Sequence, residues 1–480
     1  MTLLIASVHG EVPDQLDGAT LLEIRIDSLE TQTIKEELPK LLAASPIPTI
    51  LTCRSVTEGG MFEGNEEDRI EMYRVALQCE HPPRYIDIEY EALINTPHMI
   101  KTLTSEHTGI ILSWHDVVGR PRNLIQRAAQ MQQVKGVDVI KIVWRARSIR
   151  DNLEAFELLQ SRQQPMIAMC LGEYGTMSRI LAPKFGGFAT YASVDGMEQT
   201  ASGQPTLREL RSMYHYDAIN QDTAVYGVIG NNVEHSASPQ FHNGAFQAAG
   251  DNAVYLPLQI PEGWEHLKAS VGELQHFETL HFSGASITIP HKEQMMRLAD
   301  SCDTVSTKVG ATNTVSISNQ SINASNTDVS ALASLTVHAT RVLVLGGGGV
   351  ARATIVAAKM NGAQVFIATR RSEQARELSQ EFSCHVATPQ FADVDTIVNC
   401  TPVGMKGGDN PNGDPLNELA PWIKLSTSVR VLETIYDPND TPLLIRAESA
   451  GCTITRGEEM FRLQAAEQQR IWATERHILH

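Results

Sequence analysis

Lys141 sits in the run Asp138-Val139-Ile140-Lys141-Ile142-Val143, an apolar β pattern interrupted by one amine. Burial among Val and Ile, with cationic neighbours, would lower its pKa and leave a neutral amine able to attack a carbonyl. His115 follows the apolar run 109–113, at the end where a proton-transfer group could serve an imine. Glu23, Arg25 and Asp27 alternate through Leu22-Glu23-Ile24-Arg25-Ile26-Asp27. A period of two places all three on one strand face, and burying both signs there is costly unless they pair and serve a ligand. Near the other end, Arg341-Val342-Leu343-Val344-Leu345 runs into Gly346-Gly347-Gly348-Gly349-Val350-Ala351. A glycine cluster between a strand and a helix start lets backbone approach a pyrophosphate closely. Arg370, in Thr369-Arg370-Arg371, lies about 24 residues past Gly346, where an NAD site offers an acid to the ribose. Two Arg and no acid favour the 2′-phosphate of NADP instead.

These groups need elements to hold them. Eight β-rich runs (3–8, 20–26, 49–53, 85–89, 109–113, 138–143, 166–171 and 188–193) alternate with amphipathic stretches such as 65–79 and 123–135. Eight βα units in that length predict a closed (β/α)₈ TIM barrel, with its active site at the C-terminal ends of the strands. A new strand, 224–229, opens a second block, and the strand at 341 opens a third. The expected boundaries lie near residues 220 and 335. The final stretch, 458–476, is expected to be helical. In the second block Ser236 and Ser238 precede Pro239, which by themselves are common helix caps.

The chain has 480 residues, so two or three domains are expected. Its formal charge of −17 works against binding nucleic acid or anionic membrane, so an anionic substrate needs local Arg or Lys. Seven cysteines without CxxC or Cys/His spacing read as free thiols in a reducing compartment, with no metal site. No basic leader and no apolar run of transmembrane length are present. The expected location is the cytoplasm.

Six segments carry a resemblance. They are 22–29, Thr52-Cys53-Arg54-Ser55-Val56-Thr57-Glu58-Gly59-Gly60, Ser113-Trp114-His115-Asp116, Val139-Ile140-Lys141-Ile142, Gly172-Glu173-Tyr174-Gly175-Thr176-Met177-Ser178-Arg179 and Ala201-Ser202-Gly203-Gln204. Together they resemble type I 3-dehydroquinate dehydratase. The resemblance implies an imine at Lys141, proton removal by His115, and orientation of His115 by Glu58. It implies that Glu23, Arg25, Arg54, Arg179 and Gln204 bind substrate hydroxyls and carboxylate. Thr200 stands where the family has a Ser that contacts substrate. Trp144-Arg145, after the lysine strand, is bulkier than the family pattern.

The remainder is similar to shikimate dehydrogenase. The motifs are Ser236-Ala237-Ser238-Pro239, Thr288-Ile289-Pro290-His291-Lys292, Gly310-Ala311-Thr312-Asn313-Thr314 and Asn326-Thr327-Asp328. The resemblance implies that Lys292 donates a proton with Asp328 supporting it. It implies hydrogen bonds from Ser236, Ser238, Thr288, Asn313, Tyr436 and Gln464 to substrate. Val329 stands where the family has Gly. Asn399-Cys400-Thr401-Pro402-Val403-Gly404-Met405 resembles the loop bordering the nicotinamide. The segments 433–438, 441–443 and 457–466 resemble the closing strand, turn and helix. The implied cofactor is NADP(H), held by Gly346, Gly348, Gly349, Val350, Ala351, Thr369, Arg370, Arg371, Thr401, Val403, Met405 and Gly457.

The expected architecture is α/β throughout. A TIM barrel (1–218) precedes a substrate domain (222–334, completed by helix 457–478) and a Rossmann NADP domain (335–456). The expected activity is dehydration of 3-dehydroquinate, then NADPH-dependent reduction of 3-dehydroshikimate to shikimate, in a monomer or homodimer. A dehydrogenase half that prefers quinate or NAD is one alternative. A metabolite sensor without turnover is another, opposed by the presence of Glu58, His115, Lys141, Lys292 and Asp328.

Overall fold

A computed structural model describes residues 2–29, 33–197, 199–391 and 393–478, with side chains to residue 475. Eight parallel strands come first: β1 (Leu3–His9), β2 (Leu21–Arg25), β3 (Thr49–Thr52), β4 (Tyr85–Glu89), β5 (Gly109–Asp116), β6 (Val139–Arg145), β7 (Met166–Leu171) and β8 (Ala189–Ser193). Their order is β7-β6-β5-β4-β3-β2-β1-β8. The Phe188 amide donates to the Met166 carbonyl at 2.8 Å, so β8 also lies against the start of β7 and the barrel is nearly closed.

The strands are buried on both faces because helices cover the outside. On β6, Ile140, Ile142 and Trp144 face outward into that packing. Val139 and Val143 join Ile5, Ile50, Ile111, Ile167 and Tyr191 in one interior cluster. Lys141 shares their side of the strand. Helix Glu66–Leu77 starts where the sequence caps it. The Asn65 side chain accepts from the Asp68 amide at 2.9 Å, and three acids occupy the first turn.

The second sheet contains β9 (Ala224–Gly230), β10 (Ala253–Gln259), β11 (Phe282–Ile287), β12 (Ser301–Cys302), β13 (Thr314–Ser318) and β14 (Ser321–Ser325), in the order β10-β9-β11-β13-β14-β12. It is mixed, with β13 antiparallel to both β11 and β14. The third sheet is parallel: β15 (Arg341–Leu345), β16 (Gln364–Ala368), β17 (His385–Val386), β18 (Thr396–Asn399), β19 (Arg430–Glu433) and β20 (Thr453–Thr455). Its order, β17-β16-β15-β18-β19-β20, is the doubly wound one, with the switch point between β15 and β18. Helix Gly457–Ile478 follows. Two compact units result, residues 1–228 with 232–261 and 269–282, and residues 229–231, 262–268 and 283–480.

Candidate functional site

A cavity of about 300 Å³ opens at the C-terminal ends of the barrel strands, lined by Glu23, Arg25, Arg54, Glu58, His115, Lys141, Arg179, Thr200 and Gln204, among others. The sequence-derived barrel residues all meet there. A larger groove of about 1380 Å³ lies at the opposite strand ends, around Leu3, Pro165 and Phe188, and contains none of them.

Lys141 is 5% exposed. Its Nζ donates to Asp87 Oδ2 at 3.1 Å and Glu23 Oε1 at 3.4 Å, and lies 4.1 Å from the centre of the Tyr191 ring. The expected desolvation is present. The expected cationic neighbours are not in contact with the amine, because β4 contributes a carboxylate at this level of the barrel. Burial would raise the Glu23 carboxyl, but Lys141 and Arg25 outweigh it and hold it below its ordinary value. Burial acts on Asp87 too, and is outweighed by Arg54, Lys141 and the Ser113 hydroxyl, which bring it to about 2.

His115 lies on β5 rather than after it, since that strand runs on to Asp116. Its Nδ1 is 2.9 Å from Glu58 Oε2, and its amide donates to the same oxygen at 3.0 Å. Burial, with Arg54, Lys141 and Arg25 nearby, holds the imidazole well below its ordinary pKa. Burial, opposed by Arg54 and reinforced by Glu89 and Asp87, lifts the Glu58 carboxyl to about 8. The imidazole meets Glu58 through Nδ1, which leaves Nε2 as the ring nitrogen that can exchange a proton with a ligand in the cavity.

The two signs near Glu23 do pair. Arg25 grips Asp27 through two bonds, 2.7 and 2.8 Å. Arg54 reaches Asp87, Glu58, Glu89 and Ser113. Arg179 differs. It is 1% exposed, has no carboxylate partner among the described residues, and bonds the Tyr191 carbonyl at 3.4 Å. Burial lowers it to about 10. An anionic ligand would complete it. The Thr200 hydroxyl donates to Gln204 at 3.1 Å.

In the second unit Lys292 Nζ donates to Asp328 Oδ2 at 2.6 Å. Asn313 Nδ2 donates to Asp328 Oδ1 at 2.8 Å and to Gln464 Oε1 at 3.2 Å. Thr288 follows β11, its amide bonded to the Ile229 carbonyl at 2.9 Å. Ser236 Oγ accepts from the Ser238 amide at 3.2 Å just before helix Ser238–Ala249, whose N-cap position is Ala237 and carries no side-chain cap. Val329 is 2% exposed and packs in the core of helix Thr327–Leu335, so the missing Gly leaves the Asp328 contacts intact. The Tyr436 ring lies tilted against Phe461, their centres 5.1 Å apart.

The glycine turn follows β15, and helix Gly349–Met360 starts from it. Gly346 has φ +109°, and a Cβ there would stand 2.9 Å from the Cys400 carbonyl oxygen. A Cβ at Gly349 would stand 3.1 Å from Lys292 Cδ, which puts the turn against the aliphatic stem of Lys292. Gly348 faces open space, Val350 is half-buried and Ala351 fully buried. Thr369 hydrogen-bonds the Arg371 carbonyl at 2.5 Å. Arg370 and Arg371 are exposed, without carboxylate partners among the described residues. The open turn and these unpaired cations fit a nucleotide with an extra phosphate. After β18, Asn399 Oδ1 accepts from the Thr401 amide and hydroxyl, Thr401 Oγ1 accepts from the Val403 amide, and the Met405 amide bonds Pro402. Gly457 has no room for a side chain, since a Cβ would meet the Ile435 carbonyl at 2.0 Å.

Residues 9–221 match the family model of type I 3-dehydroquinase, and residues 228–315 match that of the shikimate dehydrogenase substrate binding domain. The Arabidopsis thaliana protein named bifunctional 3-dehydroquinate dehydratase/shikimate dehydrogenase, chloroplastic, is 34% identical over 95% of this chain and 78% of its own length. The chain belongs to the family of bifunctional 3-dehydroquinate dehydratase/shikimate dehydrogenases. A shikimate biosynthesis protein of Chlamydia pneumoniae is 26% identical over 98% of this chain and 95% of its own. A solved shikimate dehydrogenase of Aquifex aeolicus, 34% identical, covers 53% of this chain and 94% of its own with a TM-score of 0.48.

In this family member three groups escaped the sequence reading. Asp87, on β4, touches both Lys141 and Arg54. Its alternation with Ile86 and Ile88 was the available signal. Gln468 bonds Ser286, the Asn313 carbonyl and Thr314, and so ties the last helix to the second sheet. Its spacing of four from Gln464 places both on one helix face. Glu433 is fully buried at the end of β19 and accepts from Asn399, Thr434, Ile435 and Thr441.

Proposed function

We propose that this chain dehydrates 3-dehydroquinate to 3-dehydroshikimate in the barrel and reduces that product to shikimate with NADPH in the C-terminal half. The observation that carries the first step is the convergence of Lys141 and the His115–Glu58 pair in one cavity. Lys141 attacks the ring ketone and, with loss of water, forms an imine. The protonated imine is an electron sink. His115 then removes the proton from the adjacent carbon and passes it to the departing hydroxyl, which leaves as water. Glu58 holds the imidazole in place. Hydrolysis of the imine restores Lys141. Glu23, Arg25, Arg54 and Gln204 hold hydroxyls, with Thr200 beside Gln204. Arg179, lacking a carboxylate of its own, takes that of the substrate.

For the second step, bound NADPH supplies hydride to the ring carbonyl. Lys292 gives its proton to the carbonyl oxygen as negative charge develops there. Asp328 anchors Lys292, and Asn313 orients Asp328 through the opposite carboxylate oxygen. Ser236, Ser238, Thr288, Tyr436 and Gln464 are assigned to substrate. The glycine turn with Val350 and Ala351, the loop of Thr401, Val403 and Met405, and Gly457 are assigned to the cofactor. Thr369, Arg370 and Arg371 are assigned to its 2′-phosphate.

The same reading divides the chain into the barrel (1–218), a substrate domain (222–334 with 457–478) and a nucleotide domain (335–456). Bonds from Gln464, Gln468 and Trp472 to the second sheet support the return of the last helix. No helix among the described residues is long and apolar enough to cross a membrane. The proposed location is the cytoplasm, and the proposed assembly a monomer or homodimer.

One cuvette tests the sequence of reactions. Purified protein with 3-dehydroquinate should give a rise in ultraviolet absorbance, then NADPH oxidation and shikimate. Lys141→Ala should abolish the rise and leave reduction of supplied 3-dehydroshikimate intact. Loss of both activities in that variant would contradict two independent sites.

A further inference from the structure

Trp144-Arg145 departs from the dehydratase pattern, and the reaction above makes no use of Arg145. On β6, residues 139, 141, 143 and 145 share the inward face. Arg145 is therefore the last inward residue of the strand that carries Lys141, about 13 Å further along at about 3.3 Å per residue. It is exposed and lines the mouth of the same cavity. Its Nε donates to the Val117 carbonyl at 2.9 Å, on the segment after β5. Its Nη1 lies 3.4 Å from where a Cβ on Gly172 would stand, on the segment after β7. The guanidinium thus spans the rim above Lys141.

Arg120, Arg127 and Arg147 are paired with Glu154, Glu91 and Asp151. Arg145 has no carboxylate partner among the described residues, and both of its Nη groups keep donors to spare. A chain of charge −17 repels an approaching anion on average. An unpaired cation at the mouth counters that repulsion locally.

We propose that Arg145 is the entry cation of the dehydratase site, capturing the substrate carboxylate at the rim before the buried Arg179 receives it. The proposal rests on the dehydratase reading. Arg145 binds and steers; the chemistry stays with Lys141 and His115.

The test compares the full-length wild type, Arg145→Met and Arg145→Lys with 3-dehydroquinate at about 0.02 M and about 0.5 M ionic strength, which bracket strong and weak screening. Arg145→Met should lower kcat/KM about three- to tenfold at low salt, the lower end of electrostatic steering effects. The gap should close at high salt, and kcat should stay within about twofold. Arg145→Lys retains the charge and should stay near wild type. Equal kcat/KM in wild type and Arg145→Met at low salt would overturn the proposal. So would equal losses in both variants with the wild-type salt slope, which would reduce Arg145 to a tether for Val117. Borohydride trapping of an imine at Lys141 separates the two layers. Its absence in the wild type overturns the dehydratase assignment itself, and the entry role with it.

Discussion

At the residue scale, burial sets the charge states in the barrel. Glu58 keeps its proton up to about pH 8 when folded and up to about 4.5 when unfolded. The folded state therefore binds more protons between those values, and stability falls as pH rises through that window. His115 acts on the acid side. Its folded pKa is below the unfolded value, so stability is lost as pH falls below about 6.5. Glu58→Gln should flatten the alkaline slope in melts from pH 5 to 9 and keep the acid one; an unchanged alkaline slope would place the titration elsewhere. Arg179 makes the opposite bargain between stability and function. A buried guanidinium without a carboxylate costs free energy, so Arg179→Met should stabilise the barrel by on the order of 1 kcal/mol. The same change should raise the dehydratase KM at least tenfold, since a charge-assisted bond to the substrate is lost. A variant that is both less stable and equally active would show that Arg179 is a packing residue.

At the element scale, strand ends and the connections after them decide where chemistry can occur. β5 extends through Asp116, which carries His115 along the strand until it faces Glu58. β19 ends in Glu433, whose buried carboxylate fixes the amide of Asn399, leaving Asn399 Oδ1 to hold Thr401 and so the segment assigned to the nicotinamide. Burial raises Glu433 to about 7 against the pull of its donors. Glu433→Gln sets an amide donor against the Asn399 amide and should cost about 1–3 kcal/mol. NADPH titration by fluorescence should show weaker binding while dehydratase turnover stays at the wild-type rate. Gln468 and Trp472 make the last helix part of the second sheet's packing. Trp472 is fully buried, with its indole N–H on the Val315 carbonyl at 3.1 Å. Trp472→Ala should cost about 3–5 kcal/mol, and a melt that resolves the dehydrogenase half should record it.

At the scale of the whole molecule, two sets of reacting groups occupy one chain without sharing a residue. A mixture of Lys141→Ala and Lys292→Ala proteins should therefore convert 3-dehydroquinate to shikimate through free 3-dehydroshikimate, although neither does so alone. No conversion by the mixture would mean that the two sets depend on each other within one chain. Fusion keeps the concentration of the second site near the first above that of separate proteins. The mixture should accordingly show a longer lag before NADPH oxidation than the wild type at equal site concentration.

Local chemistry made much of this legible in the sequence. A lysine in a Val/Ile strand, a glycine run between a strand and a helix, and Arg where an acid would select NAD each follow from covalent neighbours and period, which a sequence states directly. The eight barrel strands were readable for the same reason, since alternation and strand length are local. Pairings between distant segments were not. Asp87 meets Lys141 across 54 positions, Gln468 meets Thr314 across 154, and Glu433 meets Asn399 across 34. Residue type alone does not say which buried carboxylate lies against which amine, because that depends on strand register and on which element covers which face. Residue types and their spacing are enough to name the reacting groups and the strands and helices that carry them. Their partners, including the His115–Glu58 contact, the anions at Lys141 and the carboxylate-free Arg179, follow from the fold, because burial and Coulomb energy act through space rather than along the chain.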